Sequence, residues 1–509
     1  MSGWLLGACR FRLFGRGCVG HPGDVLRKLL VFTLTAAVGG AAAALAGTGA
    51  TTETAATKLG GDWTRFGYDA ARRSSGPART GITAANVRRL RLEHVRLDGT
   101  VDASPIYARA VKVAGRTRDV FVVTTTYGKT EAIDASTGRV VWRFTPPGYS
   151  GWAGSAQITN ATPILSTDRR YVFAAVPNGK LYKLRLATGR NVGGRWPVTI
   201  TRDPTHEKLG PPLNLSRGLL LMATGGYIGD APPYQGHVVS IDAASGRIVH
   251  VWNSLCSDRH AIIQPSSCPE SDSAIWARAG VVVEPGSGNL LVSTGNAKWD
   301  GKTYWGDSVL ELSPDAGRLL QNWTPTNHEE LNSGDIDLGS TAPALLGNGL
   351  AVQGGKEGKL VLLDLAKLNG KGGAGTVTGG ELQTLPTPSG GGLFSAPAVW
   401  RHNGRTWLFV SDFGATAAYT LSGRRLTQAW RVSTAGTSPV VAGGLLYVYN
   451  PGGSLDVYAP TTGKQLASLD AGGGHWNSPI VTDGRIALPV GNANDHRLAG
   501  VLDIWRTSG

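Results

Sequence analysis

One short phrase recurs along the chain and constrains the fold more than any other feature. Each copy opens with a small residue, a proline and an apolar residue, and copies begin at Ser104, Thr162, Ala342, Ala396, Ser438 and Ser478. An alternating apolar strand follows, then a glycine turn and a second strand ending in a variant of Asp-Ala-x-Thr-Gly. The strand after that turn often carries a tryptophan, namely Trp142, Trp252, Trp323 or Trp430.

Each part of the phrase has a physical role. The Asp and Thr side chains can bind backbone groups of the turn, and the Gly accepts a positive φ. The proline begins a strand, where a missing donor is tolerated, and alternation turns one face of the sheet inward. A lone four-stranded sheet cannot bury both faces, but sheets stacked radially can. The period of roughly 40–60 residues fits one propeller blade.

The repeat therefore predicts an all-β propeller of four-stranded antiparallel blades. The chain length gives eight blades, with seven as the alternative count. Residues 63–68 are expected to help close the ring. A stacked sandwich and a β-helix also suit the 72 glycines, but neither explains a tryptophan on the third strand.

The first 46 residues are predicted to be a signal peptide. Arg27 and Lys28 precede an apolar run over 29–45, and Ala44-Leu45-Ala46 has the pattern of a cleavage site. Residues before position 25 indicate a start codon assigned too early. An uncleaved membrane anchor is the alternative, and no other segment is predicted to span a membrane. Residues 47–61 are predicted to be a disordered linker and 62–509 a single propeller domain.

Charge and cysteine content narrow the function classes. The formal net charge is +14, but the basic residues are scattered rather than concentrated on one face, which disfavours nucleic acid as a partner. Signal cleavage leaves only Cys256 and Cys268, and two nearby cysteines in an exported chain predict one disulfide. The sequence has no C-x-x-C-H motif, so covalent c-type haem is not expected.

The recurring phrase resembles the repeat of propellers that bind pyrroloquinoline quinone (PQQ). The segments 61–69 and 82–90 resemble the start of quinoprotein alcohol dehydrogenases, and the stretch around Asp335 is similar to polyvinyl-alcohol-dehydrogenase-like members. The resemblance runs from about Asp62 to the C-terminus. Non-enzymatic scaffold propellers of the outer-membrane assembly type share the repeat.

The resemblance implies a set of site residues. Trp276 would form the floor on which PQQ stacks, and Asn296 of Thr294-Gly295-Asn296 would bind both PQQ and calcium. Asp335 would be the catalytic general base and a metal ligand, with Asp337 as the fallback. Lys356 would reach the quinone oxygens. The implied cofactors are PQQ and Ca²⁺, with calcium acting as a Lewis acid.

Three departures from the family pattern weaken that implication. Tyr227 stands where the family has a metal-binding glutamate, and Asp230 is the possible substitute. Residues 154–157 lack the adjacent cysteines that many members carry over the quinone. Ile336 and Leu338 flank the second aspartate in place of the family's Trp-Asp pair.

Two functions from different classes follow. The first is an exported PQQ-dependent dehydrogenase that oxidises an alcohol or sugar and passes electrons to a separate acceptor. The second is a non-catalytic propeller that binds protein or polysaccharide at the cell surface. A glycosidase or peptidase is disfavoured because no nucleophile motif stands out.

Overall fold

The computed structural model describes residues 59–507, which form eight four-stranded antiparallel sheets. The predicted eight-bladed propeller is confirmed. The predicted signal peptide, and the predicted linker as far as residue 58, lie outside the described residues. Between residues 59 and 507 no helix has the length and apolar character needed to cross a membrane.

Each blade runs outward from an inner strand, which is its first strand in the sheet order given below, and the inner strands of blades 5, 6, 7 and 8 contact each other in turn. Blades 1 and 2 consist of β2 (Ile106–Val113), β3 (Arg116–Thr124), β4 (Thr130–Asp134), β5 (Val140–Phe144); β6 (Ile164–Leu165), β7 (Tyr171–Val176), β8 (Lys180–Arg185), β9 (Val198–Thr199). Blades 3 and 4 consist of β10 (Asn214–Ser216), β11 (Leu219–Ala223), β12 (His237–Asp242), β13 (Ile248–Asn253); β14 (Val282–Val283), β15 (Leu290–Ser293), β16 (Val309–Leu312), β17 (Leu319–Trp323).

The second half of the ring repeats this order. Blades 5 and 6 consist of β18 (Ala344–Gly347), β19 (Leu350–Gln353), β20 (Lys359–Asp364), β21 (Gln383–Pro386); β22 (Ala398–His402), β23 (Arg405–Ser411), β24 (Thr416–Ser422), β25 (Arg425–Val432). Blades 7 and 8 consist of β26 (Val440–Ala442), β27 (Leu445–Asn450), β28 (Ser454–Tyr458), β29 (Gln465–Asp470); β30 (Ile480–Thr482), β31 (Arg485–Val490), β32 (Gly500–Arg506), β1 (Arg91–Leu97). Short helices connect some strands: α1 (His328–Ser333) and 3₁₀ turns at Val87–Arg89, Tyr149–Gly151, Pro265–Ser267, Leu338–Ser340 and Ala493–Asp495.

The Asp-Ala-x-Thr-Gly turns take the form that the sequence predicts. In blade 1, Asp134 Oδ1 accepts hydrogen bonds from the backbone N–H groups of Ser136 at 3.0 Å and Thr137 at 3.1 Å. Gly138 then adopts a φ of 66°. Because the carboxylate satisfies donors inside the turn, the two outer strands of the blade are joined without orphaned N–H groups.

A tryptophan from one blade packs on the turn glycine of the next. The indole N–H of Trp142 in blade 1 donates to Leu186 O in blade 2 at 2.8 Å, and a Cβ on Gly189 would come within 2.5 Å of its ring. Trp430 in blade 6 repeats the contact on Gly463 of blade 7. Only glycine fits, because the position combines a positive φ with close ring contact.

The ring is closed by the first strand of the chain. β1 pairs with β32, so the outer strand of blade 8 comes from near the N-terminus and its other three strands come from the C-terminal end. His94 of β1 contacts Asp503 of β32 at 2.6 Å.

The segment that precedes β1 follows the inner strands around the axis. We call residues 61–76 the inner circuit, because it hydrogen-bonds to blades 8, 1, 2, 3, 4, 6 and 7 in that order. The bonded pairs are Gly61–Thr482, Trp63–Tyr107, Thr64–Leu165, Arg65–Asn214, Ala70–Val283, Arg73–Val399 and Ser74–Val441. The predicted contribution of 63–68 to ring closure is thus part of a nearly complete turn.

Arg72 anchors the inner circuit from within. Its guanidinium is buried and donates to the carbonyl oxygens of Phe66 at 2.6 Å, Leu213 at 2.7 Å and Pro212 at 3.2 Å. It also lies 5.9 Å from the centre of the Phe66 ring. Arg72 therefore ties the circuit to itself and to blade 3.

Replacing Arg72 by Met should lower the free energy of unfolding by about 3 kcal/mol, because three buried carbonyls lose their donor. Hydrogen exchange of residues 61–76 should accelerate more than exchange of the blades. The matched control is Arg73→Met, since Arg73 is exposed and pairs with Asp69 at the surface, where a loss of only about 0–1 kcal/mol is expected. Equal losses in urea unfolding of the two variants would contradict the anchoring role.

Candidate functional site

A cavity of about 350 Å³ lies on the propeller axis above the inner circuit. Side chains from blades 2, 3, 4, 5, 6 and 8 reach it, so it draws on most of the ring. The residues that line it include Lys208, Trp276, Arg278, Lys356, Phe394, His475 and Trp476.

One repeat position supplies much of the cavity wall. Four residues before the inner strand of each blade the chain has Asp102, Asn160, Gly210, Arg278, Ser340, Phe394, Gly436 and Trp476. Five of these line the cavity: Asn160, Gly210, Arg278, Phe394 and Trp476. The position before the inner strand is thus occupied by a different residue type in most blades, and these side chains together form much of one site.

Aromatic rings form a continuous wall from the cavity to its mouth. The ring centroid of Phe394 lies 6.1 Å from that of Trp276 and 5.5 Å from that of Trp476. Phe413 extends the wall outward, 5.6 Å from Trp476 and 49% exposed. A flat aromatic molecule can pack on such a wall.

Lys356 joins the two predicted aspartates. Its ammonium lies 2.8 Å from Asp335 Oδ1 and 2.6 Å from Asp337 Oδ2, and 5.9 Å from the ring of Trp276. Asp335 is exposed with a φ of 51°, whereas Asp337 is buried. Burial raises the pKa of Asp337, and the charge of Lys356 opposes that rise. The structure therefore brings Trp276, Asp335, Asp337 and Lys356 together.

Asn296 joins this group through its backbone. Its N–H donates to Asp337 Oδ1 at 2.8 Å, and Gly295 leaves the space that this carboxylate oxygen occupies. The Asn296 side chain is half-buried and is not part of the cavity wall. Its assignment as a ligand of PQQ and calcium remains a prediction.

Asp307 is a buried acid that the sequence did not single out for a role. Its Oδ1 accepts the backbone N–H of Leu338 at 3.0 Å, and its Oδ2 has no partner among the described residues. Burial raises the pKa of Asp307 to about 8. With this pKa, Asp307 carries a proton at neutral pH. It therefore adds no second negative charge near Asp337.

The side chains at and near the predicted calcium ligands differ in their contacts. Tyr227 directs its hydroxyl away from the predicted group, donating to Pro204 O at 2.9 Å. Asp230 lies exposed at the rim and accepts the Tyr234 hydroxyl at 2.9 Å. Across residues 59–507, no three His, Cys, Asp or Glu side chains come together as a metal site would need. The assignment of Asn296, Asp335 and Asp230 as calcium ligands therefore stays a prediction.

Two cations lie at the cavity floor. Arg278 is buried, donates one weak hydrogen bond to Asn160 O at 3.3 Å, and leaves Nε and Nη2 without partners in the described chain. Its guanidinium sits 5.7 Å from the ring of Phe66 in the inner circuit. Burial lowers the pKa of Arg278 to about 10 and that of Lys208 to about 8. Unsatisfied buried donors on cations suit an anionic ligand.

A buried carboxylate and a histidine face each other beside these cations. His475 Nδ1 lies 2.8 Å from Asp102 Oδ2, and the backbone N–H of Trp476 donates to Asp102 Oδ1 at 2.7 Å. Asn160 Nδ2 donates to the same carboxylate at 3.0 Å. Burial alone would raise the pKa of Asp102, but these hydrogen bonds and the charge of Arg278 lower it.

Sequence reasoning assigned no role to Arg278, Lys208, Phe394, Asp102 or His475. A signal existed for three of them, because Asp102, Arg278 and Phe394 occupy the same repeat position as Trp476. His475 is the neighbour of such a residue. Lys208 lies in the loop before blade 3, outside the repeat, and no pattern distinguishes it from a surface lysine.

Comparisons with known proteins agree with the fold and give a distant relationship. A family model described as outer membrane protein assembly factor BamB matches residues 105–248. The quinohemoprotein alcohol dehydrogenase ADH IIB of Pseudomonas putida is 24% identical over 408 residues, covering 72% of this chain and 55% of that protein. The chain thus spans about half the length of that relative.

Two solved structures share the architecture. The quinohemoprotein alcohol dehydrogenase ADHIIG of Pseudomonas putida HK5 superposes with a TM-score of 0.68 at 16% identity, covering 88% of this chain and 80% of that one. A europium-containing methanol dehydrogenase superposes with a TM-score of 0.64 at 15% identity, covering 88% and 98%. At these identities the likeness concerns the fold.

Replacing Lys356 by Met should destabilise the fold most at high pH. Asp337 would lose its cation, so its raised pKa would rise further and the charged form would become unfavourable. An acid with a raised pKa in the folded state loses stability as pH increases from its unfolded to its folded value. We expect a loss of about 3 kcal/mol at pH 8, and a smaller loss at pH 5, where Asp337 can protonate.

Urea unfolding at both pH values measures this difference. The control is Lys359→Met, because Lys359 is about half exposed and pairs with Glu357; its loss should stay near 0–1 kcal/mol at both pH values. A loss independent of pH in the Lys356 variant would show that Asp337 is not the group left uncompensated.

Proposed function

The chain is a PQQ-repeat β-propeller with distant homology to quinohemoprotein alcohol dehydrogenases, and we propose that it is an exported dehydrogenase that oxidises an alcohol or sugar with PQQ. The observation that carries the proposal is the cavity floor, where Arg278 and Lys208 lie beneath an aromatic wall. Arg278 has two donor groups that no described residue satisfies.

PQQ fits this set of residues by its chemistry. It is a planar, fused-ring orthoquinone with three carboxylates, so it needs flat apolar surfaces and cationic donors. Trp276, Phe394 and Trp476 supply the surfaces, and Arg278 and Lys208 supply the cations. When bound, PQQ supplies the two-electron oxidant that the protein itself lacks.

The remaining roles concern the quinone end of the cavity. In this proposal Lys356, which Asp335 and Asp337 fix beside the Trp276 ring, would hold a quinone oxygen of bound PQQ. Asp335, or Asp337, is the carboxylate that the resemblance implies as general base. Calcium is the cation that the resemblance implies, and no step is assigned to it.

Export is supported by one covalent feature. Cys256 and Cys268 are joined by a disulfide with an S–S distance of 2.04 Å, and such bonds persist in oxidising compartments. The predicted signal peptide agrees with export. In this proposal a separate acceptor outside the cytoplasm would take up the electrons.

PQQ binding should quench the tryptophan fluorescence of the cavity, and Arg278→Met should weaken that binding about 10–100-fold, the amount expected for lost charge-assisted hydrogen bonds. The control is Arg405→Met, on an exposed strand end of blade 6, which should bind as the wild type does. Titrations with and without Ca²⁺ measure any calcium requirement. Dye reduction over a panel of alcohols and sugars then identifies the substrate.

Failure of the wild-type protein to bind PQQ at high micromolar concentration, with or without calcium, would contradict the dehydrogenase. That result would favour the alternative of a non-catalytic scaffold, whose ligand would be sought among proteins and polysaccharides.

The affinity for PQQ should also depend on pH through Lys208. Desolvation lowers the pKa of Lys208 to about 8, so the free protein loses this charge as pH rises through that value. The ligand carboxylates favour the charged form. Affinity should therefore be nearly constant below pH 8 and fall above it, and Lys208→Met should bind more weakly with no such fall. A fall that persists in the variant would assign the titration to another group.

A further inference from the structure

The cavity contains a proton acceptor that the resemblance does not supply. We propose that His475, positioned by Asp102, takes the proton from the hydroxyl of the substrate alcohol. The inference rests on the proposed function, because the reaction needs the quinone as oxidant. His475 lines the cavity next to Trp476, with ring centroids 4.4 Å apart.

The partners of Asp102 fix the protonation of the histidine. The Asp102 side chain is buried and accepts four hydrogen bonds, from His475 Nδ1, Trp476 N, Asn160 Nδ2 and Ala493 N. A carboxylate with only donors around it is ionised, and the pKa of Asp102 is lowered accordingly. The proton of the pair therefore sits on His475 Nδ1, which leaves Nε2 as an acceptor.

Nothing in the described chain occupies that acceptor. His475 Nδ1 is bonded to Asp102, and the backbone N–H of His475 donates to Asn477 Oδ1 at 2.8 Å, but Nε2 has no hydrogen-bond partner between residues 59 and 507. Asp102 orients the ring through Nδ1, Asn477 fixes the backbone of the same residue, and the side chain remains 24% exposed. This is the arrangement of an oriented general base.

The carboxylates that the resemblance favours are already engaged. Asp335 and Asp337 both accept from Lys356, and Asp337 also accepts the Asn296 N–H. A proton taken by either would weaken an ion pair that holds the lysine in place. Transfer to His475 leaves that ion pair intact.

The charged and titratable groups around the pair are few. Asp102 contacts His475 directly, Arg278 and Lys208 interact with Asp102 across the floor, and the phenol of Tyr449 lies behind it. The aromatic ring of Trp476 covers one side of the histidine. The remaining direction is the cavity.

With PQQ bound, the carbinol C–H bond would break, and the orthoquinone would supply the acceptor for the hydride and its two electrons. The O–H bond breaks and its proton moves to His475 Nε2, while the C–O bond becomes the carbonyl of an aldehyde or ketone. The imidazolium formed is stabilised by Asp102 and returns its proton to solvent.

A measurement without cofactor or substrate tests the dyad itself. In ¹⁵N-histidine-labelled protein, a strongly deshielded Nδ1–H proton should disappear in both His475→Gln and Asp102→Asn. The control is His496→Gln, a histidine of the neighbouring loop that contacts the Tyr127 hydroxyl rather than the cavity; the resonance should persist there. A signal unchanged in His475→Gln would overturn the assignment of the dyad.

Kinetics then test the role. For His475→Gln we expect kcat to fall about 100–10,000-fold, the range for loss of a general base, while the affinity for PQQ stays near the wild-type value. His475→Ala should recover activity when imidazole is added. Asp102→Asn alone should lower kcat. The double variant of His475→Ala and Asp102→Asn should still be rescued by imidazole. His496→Gln should behave as the wild type.

Distinct results separate the possible failures. Wild-type turnover in His475→Gln, together with its loss in Asp335→Asn or Asp337→Asn, would overturn the inference and return the base role to a carboxylate. Loss of PQQ binding in His475→Gln would also overturn it, by making the histidine a ligand-binding residue. Failure of the wild-type protein to bind PQQ would contradict the proposed function itself. Thermal unfolding of each variant verifies that the fold is retained.

Discussion

The contact of a tryptophan with the turn glycine of the next blade is the constraint on which the ring depends. Trp142 and Trp430 each place a flat apolar ring and one N–H donor against a neighbouring turn. Because the glycine has no side chain, the blades can approach closely at the same angle each time. Regular spacing of the blades brings equivalent positions to one axis, and side chains far apart in sequence then form a single cavity.

The cavity separates its charges into two groups. Lys356 lies with Asp335 and Asp337 on the blade 5 side, where one cation faces two carboxylates and no positive charge is left over. On the floor, Arg278 and Lys208 face the single carboxylate of Asp102, which leaves an excess of positive charge. An anionic molecule with one uncharged polar end would be oriented by this difference, since its charged end is favoured only at the floor.

Much of the architecture could be predicted from the sequence, because turns and strand alternation are local. Blade number, the turn hydrogen bonds and the convergence of Trp276, Asp335 and Lys356 required only the repeat and the resemblance. The role of Lys208 could not be predicted, because its low pKa comes from burial by residues of other blades. Arg278 needed a comparison of the same position across blades. Asn296 is the opposite case, because its motif matches the family but its side chain does not line the cavity.

The inner circuit and β1 come from the start of the described chain, but the strand that closes the ring with β1 comes from its end. Phe66 of the inner circuit lies next to Arg278. β1 can pair only with β32, and the contacting residues His94 and Asp503 are 409 positions apart in the sequence. Closing such a long loop is slow relative to local pairing. Until the last strand arrives, blade 8 has an open edge and the start of the chain has no complete ring to follow. Without β32, β1 would have no partner and the edge of blade 8 would stay unpaired, so closure of the ring would be lost.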